Sequence, residues 1–71
     1  MLKIDDLDPD GVKIVINWDK MAVTASVFIP CVNTEEAKRQ VKRITAERDW
    51  QVDMKVVVED NILGLRVWRI T

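Results

Sequence analysis

Two stretches of alternating apolar and polar residues flank a single helical stretch, and they carry more apolar surface than one helix can cover. Apolar residues occupy every second position in 12–18 and 21–29, and the same alternation returns in 52–58 and 63–67. A period of two is typical of strands with one buried face. The sequence therefore predicts four strands, arranged as two pairs on either side of the helix.

Each pair of strands fits a hairpin closed by a two-residue loop. The first hairpin, over 12–29, has its loop at 19–20, and the second, over 51–71, has its loop at 60–61. Both loops place apolar residues opposite apolar residues on one side of the sheet, and a shift by one residue would destroy that match. The facing pairs predicted in the second hairpin are Val58–Leu63, Val56–Leu65 and Met54–Val67.

A helix is predicted over 34–49. Either Asn33 or Thr34 can cap its start. Asn33, followed three residues later by Glu36, resembles a capping box, which satisfies backbone N–H groups at the start of a helix. The predicted fold class is α+β with the order ββαββ: two antiparallel hairpins form a four-stranded sheet, and one helix packs on one face. The apolar side of this helix is narrow and consists of Ala37, Val41 and Ile44.

Length and charge indicate a single small domain, 1–71, that begins with an acidic lead-in over 1–11. The lead-in has a net charge of −3 and the remaining residues have a net charge of +2, which gives −1 overall. This balance predicts no strong general attraction to nucleic acid. A chain of this size buries only about 60% of its unfolded surface, so oligomerisation is a common source of additional stability.

The residue types present exclude several kinds of active site. The chain has no His for a Ser-His-Asp triad, and its single cysteine, Cys31, cannot form an internal disulfide or a thiolate zinc site. Its two glycines cannot form a glycine-rich phosphate loop. No apolar run is long enough to span a membrane, and the N-terminus does not resemble a signal peptide. We therefore expect a non-enzymatic cytoplasmic protein with no cofactor, no membrane contact and no small-molecule substrate.

One helix is about 10 Å wide, whereas four strands span about 19 Å, so part of the sheet is expected to lack cover. The face of the sheet away from the helix carries large apolar residues as well. The interface predicted on this face consists of Phe28, Ile62, Trp68 and Ile70. We expect it to bind a second copy in a homodimer, or another protein, because twofold self-association is the commonest closed assembly. The alternative is an ordinary surface over a core closed by Leu2, Ile4 and Leu7.

The acidic lead-in contains the pattern D-x-D-x-D-G, which matches the opening of a calcium-binding loop. Asp6, Asp8 and Asp10 could converge on one hard cation, and Gly11 permits the sharp turn that such a loop needs. The position that should supply a bidentate glutamate is Asn17, and no helix follows the loop. A solvated acidic turn is therefore the preferred interpretation.

Basic residues on the helix provide the alternative function, a nucleic-acid-binding regulator. Ion pairs within the helix, such as Glu36 with Arg39, would neutralise much of this charge, so a solvated basic face is the preferred interpretation. The residues predicted to contact phosphates in the alternative are Lys38, Arg39, Lys42 and Arg43 on the helix, together with Arg66 and Arg69.

Overall fold

The computed structural model describes residues 7–71, in which a three-stranded antiparallel sheet carries one helix on one face. A short 3-10 helix, Trp18–Lys20, precedes strand β1 (Ser26–Pro30), helix α1 (Thr34–Glu47), strand β2 (Val52–Glu59) and strand β3 (Ile62–Arg69). The central strand is β3, with β1 on one side and β2 on the other. In this part of the chain, no helix is both long enough and apolar enough to cross a membrane.

The β2–β3 hairpin has the loop and the register that the sequence predicts. Asp60 and Asn61 have φ angles of 50° and 65°, and a two-residue type I′ loop needs positive φ at both positions. Aspartate and asparagine accept this conformation more readily than most residues. The structure confirms the facing pairs Val58–Leu63, Val56–Leu65 and Met54–Val67.

The predicted four-stranded sheet of ββαββ order is wrong, because the hairpin over 12–29 does not form. Only the end of that stretch is a strand, β1, and it pairs with β3 instead of with the residues that precede it. Val27 lies opposite Val67, and Ile29 lies opposite Leu65. The sheet therefore has three strands in the described chain, and its central strand comes last in the sequence.

The reason for this error lies in the predicted loop and in the need to cover the core. Asp19 and Lys20 do not have positive φ; they belong to the 3-10 helix, and an Asp-Lys pair is not a favoured two-residue hairpin loop. Trp18 and Met21, on either side of them, are buried in the core. The apolar residues before β1 thus cover the sheet from an irregular segment, and their alternation does not correspond to a strand.

The core lies between α1 and the inner face of the sheet, by which we mean the face toward α1. Leu7 belongs to this core and forms an isolated backbone bridge with Ile14. It therefore closes the core as the sequence-based alternative predicts, whereas Leu2 and Ile4 lie outside the described residues. The largest fully buried side chains are Leu7, Trp18, Ile29, Val41, Ile44, Leu65 and Val67.

Helix α1 begins where the sequence predicts and ends at Glu47, two residues before the predicted end. The Asn33 side chain accepts a hydrogen bond from the backbone N–H of Glu36 at 3.2 Å, which confirms Asn33 as the N-cap. The reciprocal contact of a capping box is replaced by Asp10. Its two carboxylate oxygens accept the backbone N–H groups of Val32 at 2.8 Å and Asn33 at 2.7 Å, so the lead-in is tied to the start of the helix.

Candidate functional site

The centre of the outer face, which points away from α1, is covered by its own side chains. Arg66 donates from Nε and Nη2 to both carboxylate oxygens of Glu59, at 2.7 and 2.5 Å, and from Nη1 to Ser26 Oγ at 2.9 Å. Its guanidinium also lies 5.7 Å from the centroid of the Phe28 ring. The hydrogen bonds from Arg66 hold the pKa of Glu59 below its usual value. A satisfied polar network therefore occupies the place where an open apolar platform was expected.

The four residues predicted as an interface do not form one patch. Phe28 and Trp68 are half-buried on the outer face, whereas Ile62 and Ile70 are about half exposed. Those two isoleucines are eight residues apart along an extended chain, or roughly 27 Å at about 3.4 Å per residue. The structure thus separates the exposed members of the set by the length of β3.

Exposed apolar residues are instead concentrated beside the β2–β3 loop. We call this set the hairpin tip, and its members are 39–65% exposed. Valines on β2 and a leucine on β3 lie on the inner face beyond the cover of α1, and an isoleucine lies on the outer face. Sequence reasoning predicted that the inner face would lack cover but did not locate the gap, although the run of three valines at 56–58 was a signal for it. The hairpin tip consists of Val56, Val58, Ile62 and Leu63.

Strand β2 has a free edge next to the hairpin tip. The backbone N–H of Ile70 donates to the carbonyl of Gln51 at 2.7 Å, so the odd-numbered residues of β2 direct their backbone groups toward β3 in an antiparallel ladder. The even-numbered residues direct theirs outward, and no strand of the described chain pairs with them. Such a row of open N–H and C=O groups is a template for pairing with another chain. The residues whose backbone groups point away from β3 are Val52, Met54, Val56 and Val58.

The acidic lead-in is held by contacts with the rest of the protein. Asp8 Oδ1 accepts a hydrogen bond from Gln40 Nε2 at 2.9 Å, and the Asp8 backbone N–H donates to Gln40 Oε1 at 2.9 Å. The Asp10 carboxylate is the acceptor at the start of α1 described above, and Asp6 lies outside the described residues. Among the residues that the structure describes, no group of three carboxylate, thiol or imidazole side chains could hold a metal ion.

The four basic residues of α1 fall into two pairs. Lys38 lies 3.8 Å from a carboxylate oxygen of Glu35, and Arg39 makes a two-point ion pair with Glu36, as the sequence predicts for that residue. Hydrogen bonds from Arg39 and then Gln40 lower the pKa of Glu36. The other two basic residues of α1, Lys42 and Arg43, are exposed and make no ion pair with a described residue.

The two strand arginines of the predicted nucleic-acid site do not extend this helix surface. Arg66 lies on the outer face, and α1 packs on the opposite face. The Arg69 guanidinium stacks 3.8 Å from the centroid of the Trp50 ring and donates to the carbonyl of Met21 at 2.7 Å. Arg66 and Arg69 are therefore engaged in contacts within the protein, on different sides of the sheet.

A groove of about 390 Å³ lies between the segment before β1 and the outer edge of that strand. Its lining is mostly apolar and includes Ile14, Ile16 and Val27, and its one ionisable side chain is Lys20. A single amine without a carboxylate or an imidazole beside it provides no acid–base pair.

Comparisons with known proteins gave no match: no protein-family model, no curated protein and no solved structure is significantly similar to this chain. The features of this protein that point to a function are the hairpin tip, the free edge of β2 and the basic residues of α1.

Proposed function

We propose that this is a non-enzymatic interaction protein that acts as a homodimer through the hairpin tip of its sheet. The observation that carries the proposal is the group of exposed apolar residues at the hairpin tip, three of them on the inner face, beside a strand edge with which no strand of the described residues pairs. Scattered exposed apolar residues are ordinary, but a contiguous group of them marks an interaction site. A second copy is the expected partner, because twofold self-association is the commonest closed assembly. Of the interface residues predicted from sequence, Ile62 belongs to this surface.

The state of the thiol also favours a binding role over catalysis. Cys31 is buried at the end of β1. Burial, followed by the negative charge of Asp10, raises the pKa of its thiol. A thiol with a raised pKa is a weak nucleophile at neutral pH, since the thiolate is the reactive form. We assign Cys31 a packing role.

Solution mass tests the homodimer directly. At tens of micromolar, we expect sedimentation equilibrium to give twice the chain mass of 8.2 kDa. Val58→Asp should convert the protein to monomer, because it places a charge in the apolar contact. Val12→Asp is the matched control, since Val12 is 69% exposed and Val58 is 65% exposed; it should remain dimeric. A wild-type monomer at this concentration would contradict the proposal.

The exposed pair Lys42 and Arg43 supports a second candidate function, binding to the phosphates of a nucleic acid. This function predicts that a short duplex DNA is retarded in a mobility-shift titration at low salt. It also predicts that reversing both charges, as Lys42→Glu with Arg43→Glu, removes the retardation. The same reversal at Lys13 and Lys20, two exposed lysines outside α1, is the control for net charge. If no retardation occurs at low salt, or if both double variants respond equally, the basic surface of α1 has no specific role in binding.

A further inference from the structure

We infer that the homodimer forms by antiparallel pairing of β2 with β2 of a second copy, in the register that places Val57 opposite Val57 of the partner. The inference rests on the homodimer proposed above and adds its geometry. Two three-stranded sheets would then join into one six-stranded sheet, with the twofold axis passing between the two Val57 residues.

The backbone of β2 is arranged for this pairing. Val56 and Val58 direct their N–H and C=O groups away from β3, because the odd-numbered residues of β2 make the ladder with that strand. Around an axis at Val57, the outward groups of Val56 exchange hydrogen bonds with those of the partner's Val58, and the reverse exchange follows by symmetry. The pairing thus satisfies open backbone groups at the most exposed part of the strand.

Charge on the outer face of β2 selects among the possible registers. An axis at Lys55 would place two lysines directly opposite each other, and an axis at Val56 would place Asp53 opposite Glu59. Like charges directly opposite one another destabilise a sheet. An axis at Val57 instead places Lys55 opposite the partner's Glu59, twice by symmetry. Like charges therefore oppose the two registers with the longest overlap, which have their axes at Lys55 and Val56. Opposite charges support the shorter overlap that has its axis at Val57.

Apolar contact separates the Val57 register from the other charge-matched one, which has its axis at Met54. In the Met54 register, Val58 extends past the end of the partner's β2 and lies opposite Trp50, whose ring is already stacked against Arg69 and packed beside Trp18. In the Val57 register, the exposed Val56 and Val58 of each copy face each other on the inner face. Both valines belong to the hairpin tip, so this register covers the surface that α1 leaves open.

The acceptor for the intermolecular ion pair is already held in place. Glu59 is fixed by the two-point hydrogen bond from Arg66, and 37% of its side chain is exposed to solvent. Lys55 is exposed on the same face of β2. A carboxylate that is oriented before binding loses less side-chain freedom when a second cation approaches it.

Cysteine trapping tests the register. Opposite residues of a non-hydrogen-bonded pair have Cα atoms about 4.5 Å apart, within the range that a disulfide spans. Single variants Met54→Cys, Lys55→Cys, Val56→Cys and Val57→Cys are oxidised mildly and analysed for covalent dimer, with the wild type as the control for the buried Cys31. We expect Val57→Cys to give the most dimer. A maximum at any other position, or equal yields at all four, would overturn the register.

The equilibrium dissociation constant of the dimer, measured for two charge-reversal variants, tests the register independently. Lys55→Glu places a glutamate opposite Glu59 of the partner and should weaken the dimer about tenfold or more at low salt. Asp53→Lys, on the same face of the same strand, meets the partner's Asn61 and should change Kd by less than about twofold. An equal effect of the two variants contradicts the register. A monomeric wild type would contradict the proposed homodimer itself, whereas a dimer trapped at another position contradicts only this inference.

Discussion

Gly64→Ala should destabilise the sheet by about 3 kcal/mol, in the upper range for overpacking of a closely packed site. A Cβ at this position would lie 2.5 Å from the carbonyl oxygen of Ile29 and 2.6 Å from a ring carbon of Phe28. The Phe28 ring can rotate away from the added methyl group, but the Ile29 carbonyl belongs to the β1–β3 ladder and cannot. Relief of the clash with the Ile29 carbonyl therefore requires β1 and β3 to separate.

Thermal unfolding followed by circular dichroism measures the effect. A loss of this size lowers Tm by more than about 10 °C in a domain of this length. Gly11→Ala is the matched control: its added methyl group would have no atom within 4 Å, but the φ of +80° remains unfavourable for alanine, so a loss of about 1 kcal/mol is expected. If Gly64→Ala were no less stable than Gly11→Ala, the close packing of β1 against β3 would be contradicted.

The part of the fold that could be predicted from sequence is the part determined by local interactions. In the second hairpin, the period of two and the loop 60–61 specify the same register independently, and the two strands are separated by only two residues. The helix start is also local, since Asn33 caps an N–H group three residues away. In both cases residues close together in the sequence determine the local structure.

The first hairpin could not be predicted correctly because the partner of β1 is not its neighbour in sequence. Ser26–Pro30 could pair with the preceding residues or with β3, and both choices place apolar residues opposite one another. The competition is decided by the core, which needs Trp18 and Met21 as cover beside the narrow helix. Alternation alone does not distinguish a strand from an irregular segment that buries some of the same residues.

The exposed apolar surface of the sheet could be predicted in amount but not in position. An excess of apolar surface follows from composition and helix width, yet its location depends on where α1 sits along the sheet. On the outer face, Arg66 reaches Glu59, which is not its directly opposite residue; that position is held by Lys55. Such a diagonal ion pair depends on side-chain conformations in the folded sheet, and it covers the surface around Phe28 that the sequence predicts to be open.

Trp18→Ala should be the most destabilising single substitution described for this protein, with a loss of about 3–5 kcal/mol. Trp18 is almost completely buried, and its ring centroid lies 6.4 Å from that of Trp50 in a tilted arrangement. Arg69 stacks on Trp50, so removal of the Trp18 indole leaves a cavity beside a stacked pair. At about 0.05–0.15 kcal/mol per residue, a chain of this length has a total stability of roughly 4–11 kcal/mol. The variant should therefore be partly or largely unfolded at 37 °C.

Urea denaturation monitored by far-ultraviolet circular dichroism measures this loss without depending on tryptophan fluorescence. Val15→Ala, in the same irregular segment but exposed, is the control and should stay within about 0.5 kcal/mol of wild type. The segment before β1 contributes Trp18 and Met21 to the core. When this segment loses its packing against the core, the sheet and the helix should therefore unfold with it in one transition. If Trp18→Ala unfolded at the same urea concentration as Val15→Ala, the irregular segment would not be part of the core, and the inner face would need another cover over its whole length.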